Sequence, residues 1–469
     1  MERVLNIVYG GRGTAINDML FNSKEYEVEL YIVDKQPNPH NKWLANEALG
    51  GGRHIVDPGL TNDTIAEFAR KHKNEIDFAI CPNEGPIIRG IRNILEWELG
   101  IPTVCPTKEY ALEGSKVRQR LLLKEVAPEA NPEFMVFDPV AYKGNKGNME
   151  KLYKDAEAWI IKLGGPTECV VKPDLPGFGK GVGVGGEHFK TISEAKDWIT
   201  TDGKTIIEQR LYGEESSFQA YCDGLRLVPL PETRDYKRAY DSDTGKNTGG
   251  MGSYCDASEN LPFLTQADRE KEIEIAERLL KHFTKEGRNK GLLGMPFYIA
   301  FMHTAEGPKV LEINSREGDP EHLCTLQRLD EDLVGIYYKI LDGDLKSIKL
   351  NEKTAVATYL VPEPYPEKDT NTRLLSLDAA YNLEDEYAKT EDKKLKIYPA
   401  SVGTRDGNLY ALGSRTVASV GVADYLQEAR AVSMNGIDKL YASGFRFRND
   451  IANVKHVNKS IMNMKRLRG

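Results

Sequence analysis

The run Val310-Leu311-Glu312-Ile313-Asn314 alternates apolar and polar residues, so a strand sends Glu312 and Asn314 from one face. Two oxygen donors at that spacing suit Mg²⁺ or Mn²⁺, hard ions that take few protein oxygens and complete their shell with phosphates and water. Arg316 shares their parity and adds a planar fork for a carboxylate or phosphate. Taken alone, E-x-N-x-R more often describes a solvated strand face. Its meaning rests on what precedes it.

Upstream, Val170 to Gly186 reads VVKPDLPGFGKGVGVGG. A strand leads through Lys172 into a loop where Gly179, Lys180 and Gly181 let backbone N–H groups approach a polyphosphate. It is not a Walker A loop, because G-x-x-x-x-G-K-[ST] is absent. In IIEQRLYGEESSF, an extended hinge lets Glu208 accept from an adenine amino group. The Leu211 backbone would meet the ring edge, and Glu215 the ribose hydroxyls. The segment DYKRAYDSDTGKNTGGMGSY sets Asp235, Lys237 and Arg238 ahead of Thr248-Gly249-Gly250-Met251-Gly252, a turn suited to wrapping a phosphate or carboxylate. Near the N-terminus, Gly10-Gly11-Arg12-Gly13 follows a strand and can cradle a phosphate at a helix start. Asp34 mimics the ribose-binding acid of a dinucleotide fold, but no full G-x-G-x-x-G accompanies it.

The elements that must carry these groups alternate in the α/β manner over the first hundred or so residues. Strands are expected at Val4 to Tyr9, Val28 to Val33 and Asp77 to Cys81, with a helix from Ala15 to Leu20. Such an order favours a parallel sheet with ligands beyond the strand C-termini, where Gly10–Gly13 and Asn83-Glu84-Gly85-Pro86 both fall. Helices are expected around Lys108 to Val126, from Asp268 to Glu286 with Gly287 as its stop, and near Val422 to Tyr441. Asp406-Gly407 signals a hairpin. The fold class is α/β, α+β in its middle part. The domains are 1–106, 107–345 (a lid at about 130–212) and 346–469.

With 469 residues, 40 % hydrophobic and 29 % charged, the chain has an ordinary globular composition. Its formal charge of -8 comes without a basic cluster, which argues against nucleic acid as a partner. No run approaches the roughly 20 apolar residues of a membrane span, and MERVLNIVYGG lacks a signal-peptide pattern. Six scattered cysteines suit reduced, buried thiols in a cytoplasmic enzyme. Small-molecule substrates, without nucleic acid or membrane, are the expected partners, and a monomer or weak homodimer the expected state.

In this order, GGR, PNEGP, LEGSK, VVKPD…GKGV, IIEQRLYGEESSF, DYKRAYDSDTGKNTGGMGSY and VLEINSREGDPE resemble the phosphoribosylamine–glycine ligase family of ATP-grasp enzymes over nearly the whole chain, archaeal members most. The resemblance implies a pre-ATP-grasp domain, an ATP-grasp pair of subdomains with ATP between them, and a C-terminal domain. Lys116 and Lys172 would contact ATP, Glu208 and Leu211 its adenine, Glu215 its ribose. Glu312 would bridge Mg²⁺ ions and Asn314 complete one of them. The amine substrate's 5-phosphate would sit near Gly11, Arg12 and Thr248–Gly252, with Glu84 at its ribose. Asp235, Lys237 and Arg316 would serve glycine and its acyl phosphate. The chain departs from the family pattern at Gly13-Thr14, at Glu317 (usually Phe) and at Ala300, where relatives often carry a metal-binding Gln. These departures keep two alternatives in view: a paralogous carboxylate–amine ligase, or a nucleotide-binding protein without turnover.

Overall fold

Strand β1 (Glu2–Val8) lies beside β2 (Val28–Asp34), which pairs with β3 (Arg53–Val56); on its other side β1 pairs with β4 (Phe78–Ile80), and β4 with β5 (Thr103–Val104). All four pairings are parallel, giving the order β3-β2-β1-β4-β5. All of β2 and most of β1 are buried, as a parallel sheet covered on both faces requires. The strand order reverses between β1 and β4, so Gly10 and Asn83 meet at the switch point. The computed structural model describes every residue except 49, 143–147, 175–180, 286, 370 and 372.

Helix α1 (Gly10–Phe21) starts at the first glycine, five residues before the expected Ala15. Gly13 explains why: a Cβ there would lie 2.7 Å from the Val8 Cβ, so glycine lets the helix turn straight back onto its strand. Asp34 is occupied structurally, accepting from the Gln36 amide (2.9 Å) and Asn41 Nδ2 (2.7 Å) beside His54; it is not placed as a ribose acid.

The chain divides into two compact units. The first comprises Met1–Ala111, Ser216–Tyr298 and Asn314–Met462; the second comprises Leu112–Glu215, Ile299–Ile313 and Asn463–Gly469. Besides the parallel sheet, the first unit holds an antiparallel sheet in the order Arg234–Asp235, Gly252–Cys255, Thr354–Pro362, Val417–Ala423, Lys394–Pro399, with Phe445–Arg446 also on Thr354–Pro362. Val422 belongs to the strand Val417–Ala423, and the helix begins only at Leu426, correcting the expected start. Sheet pairing on both sides claims Val422, opposite Ala355 and Lys394, and Gly421 lets the helix lie close above, since a Cβ there would strike the Ala429 carbonyl. Asp406 and Gly407 both take positive φ and join Val402–Arg405 to Asn408–Ala411, the hairpin their pairing predicts.

Thr265 and Asp268 form a capping box for the helix Gln266–Phe283, which ends before Gly287. Its buried face runs through Glu272, Ile275, Ala276, Leu279 and Leu280, while Ile273 is only half-buried. Glu272 thus points inward, next to the equally buried Glu232, and Ser216 Oγ donates to it at 2.6 Å. Burial, and then the Glu272 charge, push the Glu232 carboxyl up to about 10. The unfolded chain releases this proton near 4.5, so the folded form loses stability as pH climbs from about 4.5 towards about 10. Glu232→Gln is therefore expected to raise the melting temperature at pH 8 and leave it unchanged at pH 4, by thermal scans in both buffers.

The second unit contains an antiparallel sheet of β6 (Phe134–Phe137), β7 (Cys169–Pro173), β8 (Gly183–Val184) and β9 (Thr205–Gln209), ordered β6-β9-β7-β8. The helix Asn148–Lys162 covers it through Leu152, Ala156, Trp159 and Ile160. Strand β10 (Glu214–Phe218) follows β9, and Tyr298–Thr304 lies beside Gly307–Asn314. The helix expected from Lys108 begins only at Lys116, after two 3-10 turns, because Ser115 caps it: its Oγ accepts from the Arg118 amide at 3.1 Å. All six cysteines are unpaired and buried, and no described helix is long and apolar enough to cross a membrane.

Candidate active site

At the switch point of the first unit, Arg12 leaves the first turn of α1 and is nearly fully buried. Its guanidinium donates to the Glu317 carbonyl and to Asn83 Oδ1 (3.0 Å), and lies 3.6 Å from Glu84 Oε2. Arg316 approaches the same Glu84 oxygen at 3.3 Å and rests 5.6 Å over the Tyr298 ring. Burial opposes the charge on Glu84, but Arg316 and Arg12 outweigh it and hold its carboxyl below the usual range. Glu317 has the opposite balance: burial raises its pKa beyond what Arg12 and Arg316 offset. Two guanidinium groups thus face one firmly ionised carboxylate, and the positive end of α1 adds to them. A helix start of this kind suits an anion.

The glycine turn is set against this centre. Thr248 Oγ1 donates to the Lys237 carbonyl (2.9 Å) and accepts from the Gly250 amide (3.0 Å). Gly250 takes φ +102, and a Cβ on it would sit 2.5 Å from Pro320 Cδ and 2.7 Å from Asp235 Oδ1. Asp235, Gly250 and Pro320 are therefore brought together, and Gly249 donates to the Tyr365 hydroxyl at 3.1 Å. Met251 faces away: its side chain lies in the hydrophobic core, and only its backbone belongs to the turn. Gly252 is packed under Ile451 and Ala357 in its strand. Arg238 holds the hairpin, donating to the Gly245 carbonyl at 3.0 Å. Much of the charge in DYKRAYDSD is likewise structural: Asp243 meets Arg448 Nη1 and His456 Nε2, both at 3.0 Å.

In the second unit, Lys172 on β7 and Glu208 on β9 form a buried pair at 2.5 Å, and Arg120 grips Glu208 with two bonds of 2.7 and 3.2 Å. Arg120 also donates to the carbonyls of Val310 (3.0 Å) and Leu311 (2.8 Å). Burial lowers the Lys172 pKa; it opposes the charge on Glu208 as well, but Arg120 and Lys172 keep that carboxyl below its usual range. Both Glu208 oxygens thus face protein cations rather than standing open to an adenine. Breaking one side of a buried ion pair costs about 3–5 kcal/mol. Arg120→Met is expected to lower the melting temperature and raise the KM for ATP, checked by calorimetry and initial rates.

Lys116 opens its helix, and Asp174 accepts from Ser115 Oγ and the Val117 amide, both at 3.0 Å. That is the work of the aspartate in KPD, which the sequence reading did not assign. Gly181 takes φ +82 just after the undescribed stretch, whereas Gly179 and Lys180 lie outside the described residues. Leu211 lies in the connection from β9 to β10, and Glu215 on β10.

Glu312 is half-buried, and its charge reaches Lys172; Asn314 closes the same strand, its Oδ1 3.4 Å from Arg316 Nη2. Among the described residues no three His, Cys, Asp or Glu side chains form a ready-made metal cluster. Two oxygens two residues apart still fit an ion that draws its other ligands from phosphate and water. Ala300, buried on the neighbouring strand Tyr298–Thr304, offers no donor.

The class of this chain is that of the ATP-using ATP-grasp ligases, by its match to a family model of that kind. Residues 140–322 match the model of the phosphoribosylglycinamide synthetase ATP-grasp (A) domain, and residues 355–454 that of its C domain. The chain belongs to the phosphoribosylamine–glycine ligase family. It is 36 % identical to the Pyrococcus furiosus phosphoribosylamine–glycine ligase, covering 100 % of this chain and 98 % of that one. With the Pyrococcus abyssi enzyme of the same name the identity is 38 %, over 99 % and 98 %. Its structure superposes on that of the Thermotoga maritima phosphoribosylamine–glycine ligase with a TM-score of 0.72 at 26 % identity, covering 96 % of this chain and all of that one.

Proposed function

We propose that this protein joins glycine to 5-phosphoribosylamine at the expense of ATP, giving glycinamide ribonucleotide, ADP and phosphate for purine biosynthesis. The observation that carries the reading is the Arg12–Glu84–Arg316 centre beside the Gly249-Gly250 turn, in a chain aligned end to end with ligases of that name. Glycine's carboxylate attacks the ATP γ-phosphorus and ADP leaves; the 1-amino group then attacks the glycyl phosphate carbonyl and expels phosphate. Phosphorylation supplies the leaving group that a carboxylate lacks. Lys116, Lys172 and Gly181, with Gly179 and Lys180, bind ATP. Leu211 serves adenine, Glu215 the ribose, and Glu208 fixes Lys172 in place.

Glu312 and Asn314 hold Mg²⁺ or Mn²⁺, which neutralises charge on the phosphoryl oxygens. Gly11, Arg12 and the Thr248–Gly252 turn take the amine substrate's phosphate and Glu84 its ribose. Asp235, Lys237 and Arg316 position glycine and its acyl phosphate. The same reading keeps the three-part division at 106 and 345. It makes the protein a cytoplasmic monomer or weak homodimer acting on small molecules, not on nucleic acid or membranes. Phosphate release should require ATP, glycine and freshly generated phosphoribosylamine together. Equal release with another acid–amine pair would support the paralogous reading that Glu317 favours, and end this one.

A further inference from the structure

Arg415 lies downstream of the hairpin Val402–Ala411, in a stretch with no recognisable binding motif. Its guanidinium nevertheless reaches the centre of the first unit. It donates to the carbonyls of Gly249, Gly250 (3.2 Å) and Asp319 (2.5 Å), and pairs with Asp319 Oδ2 at 3.2 Å. Its face rests 4.8 Å over the Tyr359 ring, and the Tyr359 hydroxyl donates to the other Asp319 oxygen at 2.6 Å. The neighbours are shaped to this arrangement. A Cβ on Gly249 would lie 3.2 Å from Arg415 Cζ, one on Gly10 would lie 2.7 Å from Asp319 Oδ2, and one on Gly11 would strike the Tyr359 hydroxyl. One side chain thus fixes the backbone of the glycine turn to the Asp319-Pro320 segment, and the Asp319 carboxylate abuts the first turn of α1. Burial works against the Arg415 charge, and Asp319 more than restores it, so the fork stays cationic.

We propose that Arg415 is a positioning residue for the amine substrate: it holds the Thr248–Gly252 turn and Asp319 in register with Gly10–Arg12 without touching the substrate itself. This rests on the placement of the amine's phosphate given above. The fork is committed to three protein carbonyls and one carboxylate, so it acts through the backbone it holds. Nη1 serves the three carbonyls and Nη2 the carboxylate, and a lysine, with one nitrogen on a shorter reach, cannot hold both sides at once.

The test uses the full chain, with Arg415→Lys and Tyr359→Phe assayed by phosphate release. Arg415→Lys is expected to raise the KM for phosphoribosylamine about tenfold, the scale that slight misplacement of a binding segment produces. The KM for ATP, whose proposed ligands belong largely to the second unit, should stay at the parent value. Tyr359→Phe, which removes one hydrogen bond to Asp319, should move the amine KM in the same direction by less. If ATP and amine KM values rise together, or only the melting temperature falls, Arg415 is a general structural brace and the proposal is wrong. It is equally wrong if neither variant shifts the amine KM. Should the parent release phosphate only with a different acid–amine pair, the substrate assignment fails instead. The split would then be read on that pair's amine.

Discussion

Gly250→Ala is expected to lower kcat/KM by about 100-fold while the protein remains folded. The backbone at Gly250 has φ +102, where a side chain is strained, and the added methyl would fall against Pro320 Cδ and Asp235 Oδ1. It must push either the turn or Asp235 aside. Displacements on the order of 1 Å in a positioning segment cost about 100-fold, equivalent to about 2.7 kcal/mol of barrier. Initial rates together with a thermal scan check this. Activity close to that of the parent would mean that the turn has slack and does not locate substrate. Gly100 is the natural control: it also takes positive φ, but nothing lies within 4 Å of its Cβ position. Alanine there should carry only the backbone strain and leave turnover intact.

Glu312→Ala should abolish turnover, by about three orders of magnitude or more, with little change in melting temperature. Loss of charge neutralisation at the phosphoryl oxygens removes several kcal/mol of transition-state stabilisation. The half-buried position of Glu312 leaves no large cavity behind. A second readout separates the metal from the fold: Mn²⁺ titrated in the presence of ADP should bind more weakly to the variant. Retained activity, or unchanged Mn²⁺ affinity, would overturn the metal assignment. Ala300, buried on the neighbouring strand, has no side-chain oxygen to take over from Glu312.

The parallel sheet, its switch point and the Asp406-Gly407 hairpin were legible because each has a local cause: a buried apolar run, glycines after strands, a pair of residues tolerating positive φ. The strand that carries Glu312 and Asn314 was legible for the same reason, from its alternation of apolar and polar residues. The buried ionic partners were not. Nothing near Arg120 announces that it will clasp Glu208, 88 residues away, and helical spacing places Glu272 among solvent-facing charges until Glu232 is brought beside it. Arg415 follows an ordinary hairpin, and only the antiparallel sheet carries it to Asp319. The helix is expected only from Ala15, because glycines are poor helix formers and the close seat of Gly13 on Val8, which lets the helix start at Gly10, shows only once the strand is folded. The structural share of the charge in DYKRAYDSD is not legible locally, since Arg448 and His456, which fix Asp243, come more than 200 residues later.

The interleaving of the two units bears on how the chain is born. The strand Gly252–Cys255, at the end of the glycine turn, finds its neighbour Thr354–Pro362 only about a hundred residues later, and that strand in turn waits for Val417–Ala423. The first unit's last segment runs to Met462. At ribosomal speeds of about 5–20 residues per second, roughly half a minute to a minute and a half separates the emergence of its first strand from its last residues. During that interval apolar strand edges stand open to pairing with other nascent chains. Synthesis at high density on polysomes should therefore favour aggregation, and a holdase present during translation should improve the soluble yield more than one added after release.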